Sequence, residues 1–167
     1  MTGGSTSVAD AVDLGDIVVG EETFTATGPA TFEINISNAG EALVGFGVVT
    51  APVRATCSRC LVEFEMSIAG DIEGYWLRPG DSAPEDQDVT GTVDSEGAID
   101  IVPALLAALI VEAPFAPLHD ENCAGLCPEC GGDLNEHSCN CGSGPASDHP
   151  FAALGSLIET GDGEPAG

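Results

Sequence analysis

Val62-Glu63-Phe64-Glu65-Met66-Ser67-Ile68 alternates apolar with acidic or polar residues without a break. Successive side chains of a strand point to opposite faces, so a period of two predicts a half-buried β-strand rather than a helix. Thr31-Phe32-Glu33-Ile34-Asn35-Ile36-Ser37 has the same period, and Asn38-Ala39-Gly40 follows it as a turn signal. Val44, Phe46 and Val48 alternate next, with Gly45 and Gly47 between them, and residues 72–77 make one more strand. Residues 14–78 therefore read as the β part of an α+β fold. The expectation is a mostly antiparallel sheet or split barrel of about five strands.

The flanking segments have other compositions. Residues 1–13 are small and polar and read as a disordered lead-in; 159–167 read as a disordered tail. Residues 79–98 hold six acids and no base, an acidic loop. Residues 100–112 predict a helix. Asp100 can cap it, Pro103 is tolerated in the first turn, and Pro114 stops it. Its expected buried stripe is Leu105, Leu106, Leu109 and Ile110. A Cys-rich module covers 119–141, and a short final helix is expected at 150–158, giving one domain over 14–158.

Charge excludes several functions. The chain of 167 residues carries 28 Asp and Glu against three Lys and Arg, a formal charge of −25, and all three bases are arginines: Arg54, Arg59 and Arg78. Such a surface repels phosphate, so no bare electrostatic footprint for nucleic acid is present. The bland reading is solubility or salt adaptation; the sharper one is a surface that receives a basic partner. The longest apolar run, 101–111, is interrupted by Pro103 and too short for a bilayer, and the first twelve residues lack a basic n-region. The expected location is the cytoplasm, where C-x-x-C pairs read as metal or redox sites rather than disulfides.

Seven cysteines fall into metal-ligand spacings. Cys57-x-x-Cys60 and Cys127-x-x-Cys130 are knuckles, in which two intervening residues aim backbone N–H groups at the thiolates. His119-x-x-x-Cys123 precedes the second knuckle and Cys139-x-Cys141 follows it. Eight ligands fill two tetrahedral Zn²⁺ sites. The preferred grouping is Cys57, Cys60, His119 and Cys123 for one, and Cys127, Cys130, Cys139 and Cys141 for the other. The rival grouping is a single zinc on Cys57, Cys60, Cys127 and Cys130. A rubredoxin-like iron would also suit the second group, whereas a thioredoxin-like thiol pair lacks its βαβ context. His137 and His149 read as surface residues, and Tyr75 and Trp76 as packing. No Gly-x-Ser-x-Gly, phosphate loop or His-Glu-x-x-His appears, so an enzyme is not expected.

Order and spacing along the chain resemble the YceD family of large ribosomal RNA subunit accumulation proteins. The carrying residues are Cys57-Ser-Arg-Cys60-Leu61, Asp100-Ile-Val-Pro-Ala-Leu-Leu106, Ala113-Pro-Phe-Ala-Pro-Leu-His119-Asp-Glu-Asn-Cys123 and Gly125-Leu-Cys-Pro-Glu-Cys-Gly131. Asp133-Leu-Asn-Glu136, Cys139-x-Cys141 and His149-Pro-Phe-Ala-Ala-Leu154 complete the pattern. The resemblance covers roughly residues 14–158. It implies a bacterial cytosolic protein, not an enzyme, needed for normal accumulation of large-subunit (23S) ribosomal RNA. His119 stands where similar proteins place Cys, and it is an equally competent zinc ligand. The acidic surface points to action through a basic ribosomal protein or a pre-large-subunit particle. Direct contact of ribosomal RNA, with Arg54, Arg59 and Arg78 clustered near the first knuckle, is the alternative; a rubredoxin-like or thiol redox protein is the remote one. Neither a membrane nor a small-molecule substrate is expected.

Overall fold

The computed structural model describes residues 4–83, 85 and 87–141. The chain forms two compact units, Met1–Ala124 and Gly125–Gly167, so the Cys-rich segment expected as one module is shared between them. The expected final helix at 150–158 and the tail at 159–167 lie outside the described residues.

The first unit is a mostly antiparallel sheet with one helix. Its strands are β1 (Ser5–Val12), β2 (Ile17–Val19), β3 (Glu22–Ala26), β4 (Ala30–Asn38), β5 (Ala42–Thr56), β6 (Glu63–Leu77) and β7 (Gly91–Thr92), and its helix is α1 (Val102–Glu112). The long hairpin β5–β6 is the spine, paired in one unbroken register from Ala42 opposite Leu77 to Thr56 opposite Glu63. On its other edge β5 is shared. β4 pairs Leu43 to Thr50, and β3 takes over at Val53 and Arg54. The sheet therefore has seven strands rather than five, and it runs from β1 to β2 without closing into a barrel. The extra strands are short or small-residue elements that leave little hydrophobic period to read.

β1 corrects the expected disordered lead-in. Ser5–Val12 pairs with β4 along its whole length, from Ser5 opposite Ser37 to Val12 opposite Ala30. Nearly all of it is exposed, so the backbone ladder holds it rather than burial, and composition carries no trace of that.

The alternation at 31–37 and 62–68 turns Phe32, Ile34 and Ile68 into the core. In β5 the faces are inverted from what residue size suggests. Phe46 is 58% exposed and Val48 52%, while Gly45 faces inward. Trp76 explains this. Its ring is fully buried and its Nε1 donates to the Asp100 carbonyl at 2.9 Å. A Cβ at Gly45 would stand 2.9 Å from that ring, and one at Gly74 would stand 2.1 Å from it. Only glycine leaves room. On the outer face, register places Val48 between Glu33 and Asp71, and Phe46 between Asn35 and Glu73. The apolar stripe thus spaces Glu33 of β4 from Asp71 and Glu73 of β6.

α1 starts two residues later than expected. The Asp100 carboxylate accepts the Val102 N–H at 3.0 Å from just outside the first turn. Its buried residues are Ala104, Leu105, Ala108 and Leu109, whereas Ile110 is exposed. The stripe is rotated toward alanine because the helix lies almost on the backbone of β6. A Cβ at Gly70 would meet the Ala108 carbonyl at 2.4 Å. No helix among the described residues is long and apolar enough to cross a membrane.

Candidate metal centres

Cys57 leaves the end of β5, and the chain must reverse within six residues to begin β6. It does so as a knuckle: Cys57 N–H donates to the Val62 carbonyl at 2.8 Å and Leu61 N–H to the Cys57 carbonyl at 2.9 Å. Leu61 pays for the reversal with a φ of 63°, a left-handed value rare for a branched residue. The second unit repeats the device. Cys127 N–H donates to the Gly132 carbonyl and Gly131 N–H to the Cys127 carbonyl, both at 2.8 Å, and Gly131 has a φ of 71°. Here glycine occupies the position that Leu61 fills under strain.

The chain after α1 brings the other two ligands to the first knuckle. Ser58 N–H donates to the Pro117 carbonyl at 2.9 Å. The Arg59 guanidinium donates to the Cys123 carbonyl at 2.9 Å and the Glu121 carbonyl at 3.4 Å. Phe64 meets the His119 ring edge-on at 6.4 Å between centroids and helps fix its plane. The result joins Cys57, Cys60, His119 and Cys123, whose ligand atoms lie within 4.8 Å of one another. Cys57, Cys60 and Cys123 are buried.

Distances fit a tetrahedral ion. Zn–S bonds near 2.3 Å place two sulfurs of one site about 3.8 Å apart, and a sulfur and a ring nitrogen about 3.5 Å apart. Cys57 Sγ stands 3.8 Å from Cys123 Sγ, and Cys60 Sγ 3.4 Å from His119 Nδ1. The second group joins Cys127, Cys130, Cys139 and Cys141 within the same limit, with Cys130 Sγ 3.5 Å from Cys139 Sγ. These are contacts between free thiols, not disulfides. The second group is the more open one: Cys130 is exposed and only Cys127 is buried.

Acidities within each group are split. Burial raises the Cys57 thiol, but hydrogen bonds from His119 and from the N–H groups of Cys60 and Arg59 outweigh it and hold the thiol down at about 5. Cys60 gains a lowering hydrogen bond from Val62. Burial and the neighbouring Cys57 and Cys123 sulfurs still push it up to about 11. In the second group the N–H groups of Cys130 and Glu129 hold Cys127 down at about 7, while Cys139 and Cys130 push Cys141 up to about 12. One thiolate forms readily and the next resists, as expected of sulfurs crowded around one point. A divalent cation held among them would supply the countercharge that lets all of them ionise.

All eight sequence-predicted ligands are thus brought together, in two groups of four. The three arginines are not brought together. Arg54 sits opposite Glu65 and pairs with it at 3.5 Å. Arg59 is turned onto the ligand segment. Arg78 follows Leu77 at the far end of the hairpin, about 12 residues of β5 from Arg54, on the order of 40 Å along the strand. Knowing the hairpin register would have separated Arg54 from Arg78. The bracing role of Arg59 had no sequence signal beyond its place inside a knuckle.

Residues 47–158 match a family model described as large ribosomal RNA subunit accumulation protein YceD. Among curated proteins, an uncharacterized protein of Mycobacterium leprae is 30% identical over 108 residues, covering 64% of this chain and 49% of its own length. Uncharacterized proteins of Mycobacterium bovis and Mycobacterium tuberculosis are each 29% identical over 101 residues, covering 59% of this chain and 48% of their own length. The chain spans about half the length of these relatives. No solved structure matches it.

Proposed function

Because this chain belongs to the YceD family, a group tied by its description to large-subunit ribosomal RNA, we propose that it is a non-enzymatic ribosome-biogenesis factor that supports 23S rRNA accumulation through a basic protein partner. The family match over residues 47–158 carries the reading. The charge of −25 favours a basic protein over RNA as the direct contact, since phosphates approaching this surface meet carboxylates. The dispersal of the arginines weighs against direct RNA binding. Arg54 is paired with a carboxylate, and Arg59 is turned onto backbone carbonyls.

Both Cys and His groups hold Zn²⁺ in this reading. Cys57, Cys60, His119 and Cys123 form a closed structural site that ties the β5–β6 hairpin to the segment after α1. Cys127, Cys130, Cys139 and Cys141 form a local site in the second unit. Thiolate and imidazole donors in four-fold groups suit zinc. A protein purified with two equivalents of zinc and no visible colour supports this; iron absorption reverses the second assignment.

The functional test is deletion of the gene in its host, followed by measurement of the 23S to 16S rRNA ratio. The ratio is expected to fall and to be restored by the intact chain. An unchanged ratio overturns the proposal. Association with basic large-subunit proteins is expected at low salt and should weaken as salt rises.

A further inference from the structure

We infer that the free edge of β6, where it faces α1 and residues 87–90, is a docking groove for an extended protein segment bearing lysine or arginine. This rests on the basic-partner reading above and gives it a place.

The groove begins with backbone geometry. β6 pairs with β5 along its whole length, but on its other edge β7 covers only Trp76 and Leu77. At Tyr75 the peptide is still occupied: its carbonyl accepts the Thr90 N–H and its N–H donates to Thr90 Oγ1, both at 2.9 Å. Antiparallel pairing turns alternate peptides outward, so those of Glu73 and Asp71 also face away from β5. Among the described residues, none bonds to them. This leaves donors and acceptors in place for one added strand.

The walls suit an amphipathic occupant. An open groove of about 790 Å³ runs beside Glu73, with Ala104, Ala107 and Val111 of α1 on one side and Phe46 on another. A second hollow continues it and shares Glu73, Ala104, Ala107 and Val111. Val111 is 79% exposed, and Phe46 more than half. α1 is apolar nearly all round, with Glu112 its sole charge, which is unusual for a helix with one face in solvent. Every charged residue lining the two hollows is acidic: Asp71, Glu73, Asp88 and Glu112.

Charge selects the occupant. A second copy pairing through the same edge would set Asp71 and Glu73 against their own kind. Residues 142–167 contain four acids and no lysine or arginine, so they match no better. RNA would bring phosphates to four carboxylates. An extended segment that alternates apolar with basic residues satisfies the edge, the walls and the charge together.

The test uses the full zinc-loaded chain at low salt and a fluorescein-labelled peptide of alternating Lys and Val, read by anisotropy. Binding is expected, and it should weaken at least about tenfold when alternate peptide amides are N-methylated or when the protein carries Glu73→Lys. Glu21→Lys, the same charge change in the β2–β3 turn, should alter affinity by less than about twofold. Circular dichroism of both variants checks that the native fold is kept. Equal binding of the methylated peptide overturns strand addition. Equal loss in Glu21→Lys reduces the effect to bulk charge. Binding seen only after residues 142–167 are removed gives the groove to the chain itself. A dimer in sedimentation that Glu73→Lys dissolves gives it to a second copy. If Glu73→Lys still retains basic ribosomal proteins at low salt, the groove is wrong and the adaptor reading stands.

Discussion

Breaking the first Cys and His group should destabilise the first unit, and breaking the second should not. Fifty-eight residues separate Cys60 from His119, whereas eight separate Cys130 from Cys139. The first group therefore holds the hairpin to the segment after α1, and the second closes a loop within its own unit. Structural zinc in small sites binds with about 10–16 kcal/mol at standard concentration. At roughly 1 µM free zinc, about 8 kcal/mol of that is offset by dilution. This leaves about 2–8 kcal/mol of stabilisation, a large share of a typical domain's total. For a unit of this size even the lower figure lowers the melting point by roughly 8 °C. The chain has a single tryptophan, Trp76, fully buried in the first unit, so its fluorescence reports that unit's unfolding selectively. Cys57→Ser should lower the Trp76 transition by at least about 8 °C, and Cys130→Ser should move it by less than about 2 °C. Equal shifts in the two variants would refute the division of labour. No shift with either variant, or with a chelator, would refute metal binding as a source of folding energy.

Gly74→Ala should cost at least about 2 kcal/mol, because the added methyl group would fall 2.1 Å from the Trp76 ring; an unchanged melting point would show that the ring does not lie there. Zinc affinity should rise with pH near neutrality. Cys60, pushed up to about 11, and Cys141, pushed up to about 12, still hold protons there that the metal must displace. Each displaced proton contributes about a tenfold gain per pH unit, and acid reverses it. A competition titration that is flat between about pH 6.5 and 8.5 would contradict this. Val48→Glu should destabilise by about 0.5–1 kcal/mol at low salt by placing a third carboxylate between Glu33 and Asp71, and the loss should shrink as salt rises. Val48→Thr keeps the spacing and serves as control; equal, salt-independent losses would deny the stripe an electrostatic role.

What sequence could reveal depended on whether the deciding partner was near or far along the chain. The strands at 31–37 and 62–68 were legible because alternation is local, and the two ligand groups were legible because each knuckle is four residues long. The face of β5 was not. Phe46 and Val48 outweigh Gly45 and Gly47 in hydrophobicity, and only distant neighbours make glycine necessary: the Trp76 ring at Gly45 and the β4 backbone at Glu33 and Ile34 at Gly47. The helix stripe rotated for a similar reason, since Gly70 lets Ala108 approach closer than any leucine could. Arg54 and Arg78 looked close because both adjoin strand ends. The β5–β6 register sends them to opposite ends of the hairpin.

The metal group and the proposed groove share their supports. α1 meets β6 at two places: directly, where Ala108 lies over Gly70, and through the chain that follows α1, where His119 and Cys123 close on Cys57 and Cys60. The groove is lined by the same two elements, together with Val44 and Phe46 of β5 and residues 87–90. A metal ion bound by the first group would therefore hold the register between α1 and β6 from one end, while the Gly70 contact holds it from the middle. Cys57, Cys60, His119 and Cys123 do not line the groove, so a metal there would need no open coordination position to matter for docking. Its contribution would be to keep the apolar walls a fixed distance apart on a surface whose charge favours loosening. On this reading the cysteines and the acids belong to one design: thiolates around a cation would add rigidity to the core around Trp76, and carboxylates along the edge would choose the partner.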